Sequence, residues 1–198
     1  MTRQRLYLLV ACVIGLLVAG GLAWKAGAFR TQEQSAGAVG GPFKLVDQTG
    51  KPIDERALNG KWSAVFFGFT YCPDICPGTL QALTATSDEL GSKAKDLRIV
   101  FMSVDPERDT APKVKDWLDA QGAPAGTLGL TGTPEQVAAA AKAYRVVYEK
   151  AGTGPDYLVN HSTAIYLMDP KGRFRRVLSY GMTPEQVADQ IRAAMRGD

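Results

Sequence analysis

Ser63-Ala64-Val65-Phe66-Phe67-Gly68-Phe69-Thr70-Tyr71-Cys72-Pro73-Asp74-Ile75-Cys76-Pro77 is the stretch on which the fold turns. Ser63 to Phe69 is apolar and largely β-favouring, without the alternation of a half-exposed strand, which predicts a central strand buried on both faces. Two cysteines follow at once. Thr79 to Leu90 then places Leu80, Leu83 and Leu90 at helical spacing. A buried strand, a thiol-bearing loop and a helix are the first half of a parallel βαβ unit. Loops at the carboxyl ends of parallel strands are where open α/β sheets place their chemistry. Pro77 suits the first helical turn and puts Cys76 near the helix N-terminus, where free amides and the helix dipole favour a thiolate.

Working outward, Arg98 to Val104 is a second buried strand, and Pro112 to Ala120 a helix with Val114, Trp117 and Leu118 inward. Thr133-Pro134-Glu135-Gln136 opens another helix, with Thr as N-cap, Pro at the first helical position and Gln136 completing a capping box. The string TPEQVA recurs at Thr183 to Ala188. Its flanks do not match, so it marks two helix starts and not a repeat. Between them Ala164 to Met168 and Arg173 to Ser179 form strands around the turn Asp169-Pro170-Lys171-Gly172, and the last helix runs to about Arg196. Upstream, Phe43 to Val46 is a short strand entering the turn Asp47 to Gly50. The predicted order is strand, helix, strand, helix, helix, strand, strand, helix. Parallel βαβ units followed by a hairpin and a terminal helix describe a thioredoxin-like, three-layer α/β sandwich.

The 198 residues suit one domain with extras. A formal net charge of +3 on scattered basic residues excludes the concentrated basic face of a nucleic-acid-binding protein. Leu6 to Trp24 carries no charge, and as a helix spans roughly 28 Å, near the thickness of bilayer hydrocarbon. Tyr7 and Trp24 fall at its ends, where amphipathic rings prefer the interface. A cleaved secretory signal has a shorter apolar core, and Leu22-Ala23-Trp24 is a poor cleavage site. Leu9-Val10-Ala11-Cys12 resembles a lipobox, but the apolar run continues past Cys12. The expected organisation is residues 1–5 as a cytoplasmic N-terminus, 6–24 as a transmembrane anchor, 25–41 as a small-residue tether and 42–198 as the folded domain. The charge bias across the span is slight. An N-terminal anchor ahead of a whole domain usually exports it, so the domain is expected in the periplasm of a Gram-negative cell, held by a single-pass helix in the inner membrane.

Three cysteines are too few for a disulfide scaffold. Thioredoxin-type oxidoreductases separate their cysteines by two residues; here Pro73, Asp74 and Ile75 make three. The wider loop lets both sulfurs face one ion, and thiolates select soft ions such as Cu(I) or Zn(II). Asp74 adds a negative charge that raises thiol pKa values but stabilises a bound cation. On spacing alone, a metal site and a redox dithiol stand level. His161 is the chain's single histidine and lies before the strand Ala164 to Met168. In a thioredoxin-like fold that loop comes up against the cysteine loop. Two thiolates and one imidazole suit three-coordinate Cu(I), and Cu(II) would accept them with an added oxygen ligand, whereas structural zinc usually takes four protein ligands.

The FFGFTYCPDICP segment, Asp105-Pro106-Glu107-Arg108-Asp109-Thr110, Gly129-Leu130-Thr131-Gly132 and His161-Ser162-Thr163-Ala164-Ile165-Tyr166-Leu167 together resemble the Sco/SenC family. The likeness runs from about Gly41 to the C-terminus in the same order. It implies a copper-binding assembly factor of cytochrome c oxidase, with Cys72, Cys76 and His161 as copper ligands and the CuA centre of oxidase subunit II as acceptor. Another periplasmic copper chaperone would be the donor. The alternative is a thiol-disulfide oxidoreductase in which Cys72 and Cys76 reduce the acceptor's cysteines. A thiol peroxidase would need one strongly activated cysteine, commonly beside an arginine. For the Asp105 to Thr110 segment the expected role is structural: Asp105-Pro106 ends a strand, and Asp109 or Thr110 caps the next helix.

Overall fold

A computed structural model describes residues 39–197. The expected anchor at 6–24, and all of the tether except its last three residues, lie outside that range. Among the described residues, no helix is long and apolar enough to cross a membrane.

Among the described residues, nine strands and four α-helices follow in order. They are β1 (Lys44–Asp47), β2 (Pro52–Asp54), β3 (Trp62–Gly68), α1 (Ile75–Leu90), β4 (Leu97–Ser103), α2 (Ala111–Ala120), β5 (Leu128–Thr131), α3 (Pro134–Tyr144), β6 (Tyr148–Ala151), β7 (Leu158–His161), β8 (Ile165–Met168), β9 (Phe174–Leu178) and α4 (Pro184–Arg196). Seven strands form one sheet in the order β2-β1-β5-β4-β3-β8-β9. Its centre, β3, β4 and β5, is parallel, while β1, β8 and β9 join antiparallel. β6 and β7 pair separately as a two-stranded hairpin.

The apolar run at the start of β3 explains the layering. Its side chains alternate between faces, and both faces are covered. Val65 and Phe67 enter a core with Val100, Met102 and Leu130, closed by Val137, Ala140, Ala141 and Tyr144 of α3. Ala64 and Phe66 enter the opposite core with Ile99, Phe101 and Leu167, closed by Leu80 and Leu83 of α1, Val114 of α2 and Val187 and Ile191 of α4. Helices on both faces of a mixed sheet with a parallel centre make this the expected thioredoxin-like sandwich.

Several expectations need correction. α1 begins at Ile75, four residues before the periodic apolar pattern starts, because Pro77 and Gly78 in its first turn hide that pattern. β5 was not expected, and it separates α2 from α3, so the chain runs strand–helix–strand–helix–strand–helix through its middle. The short stretch Leu128-Gly129-Leu130-Thr131 gives little strand signal, yet Gly129 is needed there: a Cβ at this position would lie 2.5 Å from Val114 Cγ1 and 2.6 Å from Leu118 Cδ1, so α2 packs directly on the strand backbone. β2, β6 and β7 are also additions, held by pairing partners distant in sequence. The fold begins before Pro42: Val39 packs on the core and the Gly40 N–H donates to the Ala143 carbonyl at 2.9 Å. Both capping boxes, Thr133 with Gln136 and Thr183 with Gln186, are present as expected.

Candidate metal centre

β3 ends at Gly68, and the chain turns at once. The Cys72 N–H donates to the Phe69 carbonyl at 3.1 Å, closing the turn Phe69-Thr70-Tyr71-Cys72. α1 then starts at Ile75, so Cys76 is its second residue. The Cys76 N–H donates to Cys72 Sγ at 3.3 Å. A free N–H of the first helical turn thus already bonds one sulfur of the pair. Cys72 is half-buried and Cys76 buried, and both are free thiols.

His161 is the last residue of β7, not a loop residue, and pairs with Tyr148 of β6. The β6–β7 hairpin brings the imidazole over the thiols. His161 Nε2 lies 3.6 Å from Cys76 Sγ, and Nδ1 lies 2.9 Å from the Ser162 carbonyl oxygen. A carbonyl only accepts, so in the neutral ring Nδ1 carries the proton and Nε2 turns its lone pair to the sulfurs. The Phe69 ring stands edge-on against the imidazole, with centroids 5.9 Å apart. The three donor atoms lie within 4.8 Å of one another. Metal–thiolate bonds of ~2.3 Å in a trigonal arrangement place donors about 4 Å apart, so the set fits one ion with little movement. The cluster opens into a cavity of about 340 Å³, lined also by Pro73, Asp74, Ile75 and Leu158.

The electrostatics depart from one expectation. Burial pushes the Cys76 thiol well above its ordinary value, and a hydrogen bond with Cys72 and the negative charges of Cys72 and Asp109 push the same way. Desolvation here outweighs the lowering hydrogen bond at the Phe69 backbone, so burial favours the thiol form of Cys76. A soft cation that displaces its proton removes this penalty. Asp74 lines the cavity as expected, but its side chain makes no capping hydrogen bond to α1.

The Asp105 to Thr110 segment is structural, as expected, though by other bonds. Neither Asp109 nor Thr110 caps α2 through its side chain. Asp105 instead accepts from Arg108 Nε and from the Tyr157 hydroxyl, each at 2.5 Å. Arg108 stacks on Tyr157 and Tyr71, and its Nη1 donates to the Pro155 carbonyl. With that guanidinium committed elsewhere and the Cys76 thiol raised, a peroxidase constellation is not supported. The side chain of Asp109, fully buried, accepts three hydrogen bonds. The Thr70 N–H donates to Oδ2 at 3.0 Å, the Thr70 hydroxyl to Oδ1 at 2.6 Å and the Ser103 hydroxyl to Oδ2 at 2.6 Å. Reasoning from sequence placed Asp109 at the wrong neighbour. Its motif was visible, but a bond to Thr70, 39 positions away, was not.

Fold and site together define a thioredoxin-like domain with an open cluster of two thiols and one imidazole suited to a soft metal ion. The chain belongs to the SCO1/SenC family, whose model matches residues 31–196. Protein SenC of Rhodobacter capsulatus is 44% identical over 154 residues, covering 77% of this chain and 69% of SenC. The mitochondrial SCO1 homolog 1 of Arabidopsis thaliana is 40% identical over 156 residues, covering 78% of this chain but only 46% of that protein, so the chain spans about half its length. The copper-bound structure of Bradyrhizobium japonicum ScoI is 39% identical, with a TM-score of 0.71, covering 78% of this chain and 98% of ScoI.

Proposed function

We propose that this domain binds one copper ion through Cys72, Cys76 and His161 and delivers it, during cytochrome c oxidase assembly, to the CuA centre of subunit II. The observation that carries the reading is the convergence of the three donor atoms within 4.8 Å, from two segments 85 positions apart. Copper as the ion is supported by the copper-bound state of the related ScoI and by the softness of the two sulfurs. Delivery follows from chemistry. Cys72 and His161 line an open cavity that leaves room for an acceptor's ligand to enter, so copper passes by stepwise ligand replacement. A second periplasmic copper chaperone would load the site. Residues 6–24 would hold the domain at the inner membrane, facing the periplasm, with residues 25 onward as the tether.

The second reading, a thiol-disulfide reductase acting on the acceptor cysteines, uses the same two sulfurs; the Cys76 N–H bonded to Cys72 Sγ favours it enough to keep it. His161 separates the two. Copper titration of the domain, as wild type and as Cys72→Ala, Cys76→Ala and His161→Ala, should give one copper per wild-type domain and lose it in each variant. Dithiol exchange should largely survive His161→Ala. Undiminished copper binding by that variant would remove the imidazole from the site. Oxidase assembly in cells carrying only His161→Ala would then test the acceptor.

A further inference from the structure

The loop that carries Cys72 is short: Phe69 and Tyr71 make ring contacts with His161 and Arg108, and the hydrogen bonds of Thr70 run to a single residue outside the loop. β3 delivers Gly68 to its base, α1 takes over at Ile75, and between them the turn Phe69 to Cys72 brings Cys72 Sγ within 3.3 Å of the N–H of the buried Cys76. Thr70 is the second residue of that turn. Both its N–H and its hydroxyl donate to Asp109, and Asp109 also takes the Ser103 hydroxyl at the end of β4. Asp109 is itself fixed. Its N–H donates to the Asp105 carbonyl at 2.9 Å, and its carbonyl accepts the Thr131 hydroxyl at 2.6 Å, at the end of β5. One buried residue thus ties the cysteine turn to the carboxyl ends of two further strands, to β4 through its side chain and to β5 through its carbonyl. Among the described residues no lysine or arginine forms a salt bridge with it. A buried carboxylate without a cation is costly unless hydrogen bonds satisfy it, and here all of its side-chain bonds come from Thr70 and Ser103.

We propose that Asp109 is the positioning residue of the metal loop: by clamping Thr70 it holds the Phe69–Cys72 turn closed over Cys76 and sets the separation of the two sulfurs. For copper this rests on the reading of the site given above; for the thiols it does not. Asp109 hydrogen-bonds to Thr70 and Ser103 and not to a donor atom; its charge reaches Cys76, but its hold on the turn runs through Thr70. The clamp depends on acceptor geometry, which separates two substitutions. Asn at position 109 can still accept the Thr70 N–H and the Ser103 hydroxyl at one oxygen, while its amide donates to a reoriented Thr70 hydroxyl. Ala removes all three bonds.

The test combines a readout without metal and one with it. In a Cys72→Ser background, labelling of Cys76 by a maleimide reports how often the turn opens. Asp109→Ala should speed that labelling by about tenfold or more, and Asp109→Asn should restore the slow rate. With both cysteines present, Cu(I) affinity measured by competition against a chromophoric chelator should fall roughly 10- to 100-fold in Asp109→Ala, the range for partners that orient metal ligands, and largely recover in Asp109→Asn. Both measurements are made at a temperature where circular dichroism shows every variant folded, so a general loss of stability does not register. Wild-type labelling by folded Asp109→Ala overturns the clamp, as does accelerated labelling by Asp109→Asn equal to that of Ala. Failure of the wild type to bind copper would instead remove the metal reading and leave the labelling result standing.

Discussion

Gly68 sits where β3 gives way to the cysteine turn, and a Cβ there would lie 2.6 Å from Cys76 Sγ and 3.1 Å from Phe101 Cε2. A methyl group cannot enter without moving the sulfur or the ring. Gly68→Ala should therefore cost about 1–3 kcal/mol of stability, the usual range for overpacking, and should weaken copper binding as well. Thermal denaturation and copper titration check the two effects, and a variant with wild-type values in both would show that the sulfur has room to move. Asp169 gives the pH-dependent case. Burial raises its carboxyl, but hydrogen bonds from Arg173 and the Lys171 N–H, together with the Arg173 charge, outweigh burial and hold it below the ordinary value. The folded state then binds fewer protons than the unfolded chain near that value, so Asp169 stabilises the fold above pH ~4 and loses its contribution as pH falls through the lower folded pKa. Arg173 is largely exposed, which weakens the pair. Asp169→Asn should cost about 1 kcal/mol at neutral pH, and the gap to wild type should close on acidification. Urea denaturation at pH 7 and at pH 3 measures both; a gap independent of pH would contradict the assignment.

Among the elements, α4 depends on its start. Thr183 accepts the Gln186 N–H, and the Gln186 side chain accepts the Thr183 N–H at 3.0 Å. Thr183→Ala should cost about 1 kcal/mol, seen as a lower denaturation midpoint with an unchanged denaturant slope. Copper binding should not change, because α4 packs on the face of the sheet built around Leu80, Leu83 and Ile191, whereas Phe69, Cys72 and Cys76 belong to the other core. The β6–β7 hairpin matters in another way. It pairs with itself and not with the main sheet, yet it carries the third donor. The Ser162 N–H donates to the Val147 carbonyl at 3.0 Å, and the Ser162 hydroxyl lies 3.2 Å from the Val147 N–H. Small two-stranded hairpins have little stability of their own, so placement of the imidazole draws on this base, on Val159 packed in the core and on the Phe69–His161 ring contact.

For the whole molecule, metal binding and folding are linked. A ligand present at ~1,000 times its dissociation constant adds about 4 kcal/mol to the stability of a domain that binds it only when folded. For a domain of this size that corresponds to a melting temperature higher by roughly 8–16 °C. Copper should produce such a rise in the wild type and a much smaller one in His161→Ala, and a chelator should reverse it. A wild-type melting temperature indifferent to copper would count against the three donors acting as one site. Thiols that bind copper in the unfolded chain reduce the effect.

The central strands, the helices with capping signals, the sandwich class and the cysteine pair could be read from the sequence, whereas His161 was singled out through the expected fold and the family resemblance. Each of the former rests on local pattern: an apolar run too continuous for a half-exposed strand, a Thr-Pro-Glu-Gln start, two cysteines after a buried strand. Tertiary structure decided the rest. β5 and the β6–β7 hairpin are short segments with weak propensity that become strands through distant partners. The shift of Cys76 also went against the local signal, since burial pushes its thiol upward although sequence alone reveals a helix terminus. Asp109 finds Thr70 only when β3 and β4 lie side by side. Local propensity is written in neighbouring residues, whereas desolvation and long-range hydrogen bonds exist only once the chain has closed on itself.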